Sequence, residues 1–329
     1  MKLRCFNSSK IIRHLILVTT FFVLNFHSLF AQYEIQYPKW YPETKLKMLY
    51  ILTGDSTTTY AKDIIDIVKT NWKLTPVSVL TNKIPESFMV NGNVFLSVTS
   101  YSKTMSKNNE VVYANDYYHL DIWTVENDFK PSKKWEDYGF IIASAELYNR
   151  TNGMGVIANE AHEDFASALF PNDYLNGMNG NIKNMIQYFN MMISHDKTIS
   201  LLRDHESTAE LSNLKTDTLF MPNYWYGNLN TMLGDTKETT SDYKRTAKYL
   251  ENVVKSYPYK IQFVTRGELN DRIINATKNI YYVNIIQSSA DKIVSVINGL
   301  NGNVIYSQTT RKSYRIKNSD LENIGKAVK

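Results

Sequence analysis

Apolar and polar positions alternate along this chain with two periods, near two residues for strands and near 3.6 for helices. "KMLYILTG" at 47–54 and "TDTLFMP" at 216–222 are apolar runs of strand length. Each precedes a segment with helical spacing. Ile64, Ile65 and Val68 mark one face within 59–71, and Tyr249, Leu250 and Val253 mark one within 243–255. An aromatic exit follows each helix, Trp72 in one case and Tyr257-Pro258-Tyr259 in the other. Then come an alternating strand (Val77 and Val79; Ile261 and Phe263), a threonine (Thr81; Thr265), a short helical turn and an apolar strand (Val94-Phe95-Leu96; Ile280-Tyr281-Tyr282). "KIVSVINGLNGNVIYSQTT" at 292–310 has two alternating runs around Asn298-Gly299 and Asn301-Gly302, a hairpin signal. "VVYANDYYHLDIWTV" and "YGFIIASAELY" take that place in the first half, and helical patterns at 181–193 and 319–328 close the two halves.

This recurrence predicts a mixed α/β (α+β) protein made of two tandem copies of a small β-α-β-(short α)-β-hairpin-α unit. The expected boundaries are 32–200 for the first copy, 201–213 for a polar linker and 214–329 for the second copy. The first copy is longer, with an insertion expected at about 126–180. Binding residues concentrate on loops carried by a rigid scaffold, so this asymmetric half is the expected place for a binding site.

The first residues follow a different pattern. Lys2, Arg4, Lys10 and Arg13 precede an apolar stretch from Leu15 to Leu24, and Ser28-Leu29-Phe30-Ala31 ends in a small residue, which reads as a secretory signal peptide over 1–31. A membrane anchor is the competing reading, but Asn25, His27 and Ser28 interrupt the run short of the ~20 residues that cross a bilayer. Cleavage is expected between Ala31 and Gln32. Cys5 lies ahead of the apolar stretch, where it cannot serve as the acylated cysteine of a lipoprotein.

Composition changes meaning once this segment is set aside. The whole chain of 329 residues carries a formal charge of +5, but four of its 37 basic residues and none of its 32 acidic ones lie in the signal, which leaves +1. A nucleic-acid partner is therefore not expected. The single cysteine leaves with the signal too, and with it any disulfide, thiolate nucleophile or cysteine-based zinc site. No later apolar run is long enough for a transmembrane helix. The expected location is the periplasm or the medium.

The stretch "LTGDST…AKDIIDIVKTNWKLTPVSVL" and the strand "LKTDTLFMP" resemble a group of uncharacterised exported proteins of Gram-negative bacteria, a resemblance covering most of the mature chain and implying no activity. At fold level the units also look like small periplasmic α/β domains such as the amino-terminal domain of TolB, which carries no function across.

"LYILTGDSTT" also looks like the opening block of a GDSL-type serine hydrolase, with the serine exposed between a strand and a helix. Such an enzyme needs a base, usually a histidine three residues after an aspartate near the chain end, and oxyanion donors. The last histidine here is His205, with 124 residues after it, and the sole Asp-x-x-His is Asp116 to His119 within an alternating strand pattern. The other reading is that Asp55, Ser56 or Thr57 caps the helix that follows. Catalysis by Ser56 with Asp116 and His119 is thus the alternative, and capping the main expectation.

His162, His195 and His205 each stand beside an acid, a chemistry compatible with zinc, but "HEDFA" lacks the second histidine that His-Glu-x-x-His requires. They read as a solvated charged surface. "TNGMGVIAN" at 151–159 has two glycines and no phosphate-loop lysine, and no cofactor is expected. Two aromatic clusters remain: Tyr117, Tyr118 and Trp123, and Tyr224, Trp225 and Tyr226. Such residues anchor protein partners or stack on sugars. The expectation is an exported, non-enzymatic binding or assembly protein of the cell envelope, its partner another envelope protein or a glycan, with a secreted serine hydrolase as the alternative.

Overall fold

The computed structural model describes residues 33–36, 46–53, 56, 59–81, 84–107, 110–125, 139–152, 179–195, 199–200, 205–222, 251–252, 254–288, 291–311 and 317–328. The expected signal segment and most of the expected insertion lie outside the described residues.

The chain has mixed α/β content arranged around two mixed sheets. The first is formed by β1 (Tyr33–Ile35), β2 (Met48–Thr53), β3 (Val77–Thr81), β4 (Asn93–Lys107), β5 (Glu110–Val125), β6 (Gly139–Asn152) and β7 (Ile199–Ser200), in the order β3-β2-β4-β5-β6-β1-β7. The second is formed by β8 (His205–Glu206), β9 (Leu219–Pro222), β10 (Ile261–Val264), β11 (Tyr281–Ser288), β12 (Asp291–Asn298) and β13 (Val304–Arg311), in the order β10-β9-β11-β12-β13-β8. In both, three parallel strands continue into an antiparallel hairpin. In both, a short strand from the segment ahead of the first parallel strand pairs with the last hairpin strand, β1 with β6 and β8 with β13.

Helix α1 (Thr59–Asn71) buries Ala61, Ile64, Ile65 and Val68, the face its spacing predicts. Trp72 at its exit is 3% exposed, as is Tyr257 after the helical residues 254–256. Helix α2 (Asn179–Ser194) lies against α1 and the first sheet and also against α3 (Arg266–Ile274), so Ile182, Met185 and Ile186 share one core with Leu269, Ile273, Tyr282 and Ile297. Helix α4 (Asn318–Ala327) covers the other side of the second sheet, where Leu321 and Ile324 meet Val283, Val294 and Ile305. Among the described residues no helix is long and apolar enough to cross a membrane.

Helix ends are satisfied by neighbouring elements, since the free N–H and C=O groups of a terminus need partners when covered. Asn190 on α2 donates to Asn71 O (2.7 Å) and accepts from Lys73 N–H (2.9 Å), closing the end of α1. Asn270 on α3 accepts from Gly180 N–H (2.8 Å) at the start of α2, while Lys183 on α2 donates to Ile273 O (2.7 Å) at the end of α3. Thr265 and Glu268 form a reciprocal capping box at the start of α3.

Strand β6 contains the stretch "YGFIIASAELY" expected in the first hairpin from residue 139 on, and so occupies part of the range 126–180. The polar linker is structured: β8 joins the second sheet, and Leu211 and Leu214, in the helical turns that follow, are fully buried.

Candidate functional site

Strand β2 ends at Thr53, and Ser56, half-buried, stands in the turn before α1. Residues 54–55 and 57–58, on which the capping reading depends, are outside the described residues. A cavity of about 30 Å³ opens beneath α1 at the carboxyl end of β2 and beside the first half of β4, lined by Ile51, Thr53, Ile65, Val98, Leu147 and Ile182 among others. That is room for roughly one or two waters, and its apolar wall gives a water too few partners. It is a packing void rather than a substrate pocket.

The polar chemistry lies on the opposite face of the first sheet. Asp121 is 2% exposed and accepts from Ser144 Oγ (2.6 Å) and from Thr99 Oγ1. Nδ1 of His119 stands 3.1 Å from the same Ser144 Oγ. Register explains the grouping, because Asp121 is opposite Ser144 on β6, and His119 is opposite Thr99 on β4 and Glu146 on β6. Glu146 is buried as well. Burial pushes the Asp121 carboxyl up to about 6, against the two hydroxyl donors that favour its charged form, and burial pulls His119 down to about 4.

His119 was the histidine expected to serve Ser56, and it is engaged with Ser144. Asp116, three residues earlier, pairs in register with Ser102 and Arg150. Sequence reasoning noted His119 but not Asp121, Ser144 or Thr99. The available signal was the alternation His119, Asp121, Trp123, which puts all three on one side of a strand.

Beyond this cluster, β4, β5 and β6 run on as a three-stranded antiparallel arm, past the four residue pairs by which β2 holds β4. Tyr117 pairs with Tyr101 and Asn149, and Tyr118 with Ser100 and Tyr148. Trp123 belongs to the interior instead: it is 3% exposed, stacks on Phe95 with centroids 4.5 Å apart and donates to Ser97 Oγ (3.0 Å). Tyr50 and Phe88 extend the stack. Trp123 is thus not part of a partner-facing surface, and Tyr224, Trp225 and Tyr226 lie outside the described residues.

Of the three histidines weighed for metal, His195 is exposed at the end of α2 with Nδ1 2.6 Å from Met191 O, and His205 is in β8 opposite Ser307. His162 is outside the described residues. Among the described residues no group of three or more His, Cys, Asp or Glu is arranged to hold a metal ion. No protein-family model matches the chain, and no curated protein matches it.

Proposed function

We propose that the protein is an exported binding or assembly component of the cell envelope, made of two copies of one α+β unit, and that its partner engages the arm formed by β4, β5 and β6. The observation that carries this reading is the arm itself. β4 and β5 are 15 and 16 residues long, where their counterparts β11 and β12 have eight each, so this is where the first unit departs from the second. Tyrosine is paired in register with tyrosine at Tyr101–Tyr117 and Tyr118–Tyr148 along it, and tyrosine is a residue type that protein and glycan recognition uses. The duplication reading rests on the shared strand order of the two sheets, and the export reading on the signal pattern of residues 1–31.

The test is an arm-shortened variant in which residues 101–117 are replaced by a two-residue Asn-Gly turn. It should keep the wild-type thermal midpoint, while a photo-crosslinker placed at Tyr117 of the full chain gives a discrete adduct in exporting cells, or a glycan panel gives a hit that shortening abolishes. Absence of both would refute the reading. The alternative, a serine hydrolase, is favoured only by the place of Ser56 at the carboxyl end of a parallel strand. Labelling of Ser56 by a fluorophosphonate, lost in Ser56→Ala, would replace binding with hydrolysis. Mass spectrometry of the exported protein should give Gln32 as its first residue.

A further inference from the structure

We propose that His119, Ser144 and Asp121 form one proton-storing chain at the root of the arm, which hands a proton from the imidazole to the carboxyl when the protein folds. Ser144 Oγ stands between the two ionisable groups, 3.1 Å from His119 Nδ1 and 2.6 Å from Asp121 Oδ1. A hydroxyl has one proton to donate and lone pairs to accept with, so this bridge works in either direction. With a charged imidazole, Nδ1–H donates to Ser144, which donates to the carboxylate. With a neutral imidazole, the carboxyl O–H donates to Ser144, which donates to Nδ1. The proton count is one in both arrangements, and the proton belongs to the pair rather than to either residue.

Burial decides which arrangement the fold holds. His119 is 8% exposed and Asp121 is 2% exposed, and separating two charges there costs more than keeping both groups neutral. Among the described residues, the positions beside the pair are Ser97 and Thr99 on β4, which are uncharged, Ser144 and the ionisable Glu146 on β6, and Trp123 on β5 itself. Unfolded, in mild acid, the proton sits on the imidazole and the carboxyl is ionised. Folding moves it without net uptake or release.

A pH consequence follows with opposite signs at the two ends. Asp121, raised from 3.8 to about 6, contributes stability that is present at low pH and lost as pH rises through that interval. His119, lowered from 6.5 to about 4, contributes stability that is present above 6.5 and lost as pH falls through its own interval. Between about pH 4 and 6 the two slopes cancel. Above that range the chain gives up its proton, and the root of the arm holds a carboxylate satisfied by two hydroxyls.

Urea unfolding of the full chain from pH 4 to 6 tests this. Relative to wild type, the folding constant of Asp121→Asn should rise toward tenfold for each unit of increasing pH, and that of His119→Gln should fall as steeply, one proton each way. The double variant should run parallel to wild type. Single variants that both run parallel to wild type would overturn the proposal, as would a rise seen in Glu146→Gln and not in Asp121→Asn. If either variant fails to fold, NMR of the wild type at pH 5 decides: a neutral His119 ring with a protonated Asp121 carboxyl is expected, and an imidazolium beside a carboxylate would end the idea.

Discussion

Gly302 has φ +77°, and a Cβ there would lie 2.3 Å from the carbonyl oxygen of Asn184. Gly302→Ala therefore meets the left-handed penalty of roughly 1–2 kcal/mol and a backbone clash across two units, so the loss should exceed that figure. Gly267, exposed in α3, has nothing within 4 Å of its added Cβ, and Gly267→Ala should stabilise by about 0.4–1 kcal/mol. Thermal unfolding of the two variants should shift in opposite directions. A small loss at Gly302 would mean that the turn can move away from α2. The Asn-Gly doublets around it were legible as a hairpin, but the carbonyl that makes Gly302 obligatory comes from 118 residues away and leaves no local trace. The candidate site was half legible for the same reason. His119 and Asp121 share a face by strand alternation, whereas Ser144 reaches them only through the β5–β6 register, which has irregularities after Tyr118 and after Ile122.

Elements that were long and periodic were readable from the sequence, and those held only by pairing were not. Helix α1 spans the 59–71 its spacing indicated, while β1, β7 and β8 have two or three residues each, too few to show any period. The contrast between α2 and α4 shows how burial is written into an element. α2 is apolar on several sides because it is covered on several sides, and α4 leaves Ser319, Glu322 and Lys326 exposed because only one side is covered. Helix α4 is fastened by a buried ion pair, Lys292 Nζ to Asp320 Oδ2 at 2.5 Å, and Asp320 also accepts from Lys317 N–H at 2.6 Å. Burial lowers the Lys292 pKa, and the Asp320 carboxylate opposes that fall. Lys292→Met leaves the carboxylate without its cation and should cost about 3–5 kcal/mol. Adding Asp320→Asn should recover a large part, because the amide oxygen still caps the helix and no buried charge is left over. Denaturation showing the two losses simply adding would mean that the residues stabilise α4 independently.

The molecule as a whole is organised around α2. It packs on the first sheet, yet its buried amide Asn184 donates to Gly299 O (3.0 Å) and accepts from Tyr282 OH (3.0 Å), both in the segment that forms the second sheet. Sequence order indicates a helix over 181–193, but not that this helix would serve as a layer beneath both sheets. The partner of a helix that is apolar on several sides is a property of the packing. Two sheets that bury a common helical layer are stabilised by that shared interface as well as by their own packing, and the sharing predicts one cooperative transition. Ile186 on α2 and Ile273 on α3 are 0% and 1% exposed. Replacing either by alanine should cost about 2–5 kcal/mol through lost burial and the cavity left behind. The informative measurement follows each sheet separately in the same sample: amide exchange of β2, β4 and β5 for the first, and amide exchange of β11 to β13 for the second. Ile186→Ala should lower the unfolding free energy of both units by the same amount, and Ile273→Ala should do the same from the other side. Exchange in β11 to β13 that kept its wild-type free energy in Ile186→Ala would show two units folding independently, with α2 contributing adhesion rather than a common core.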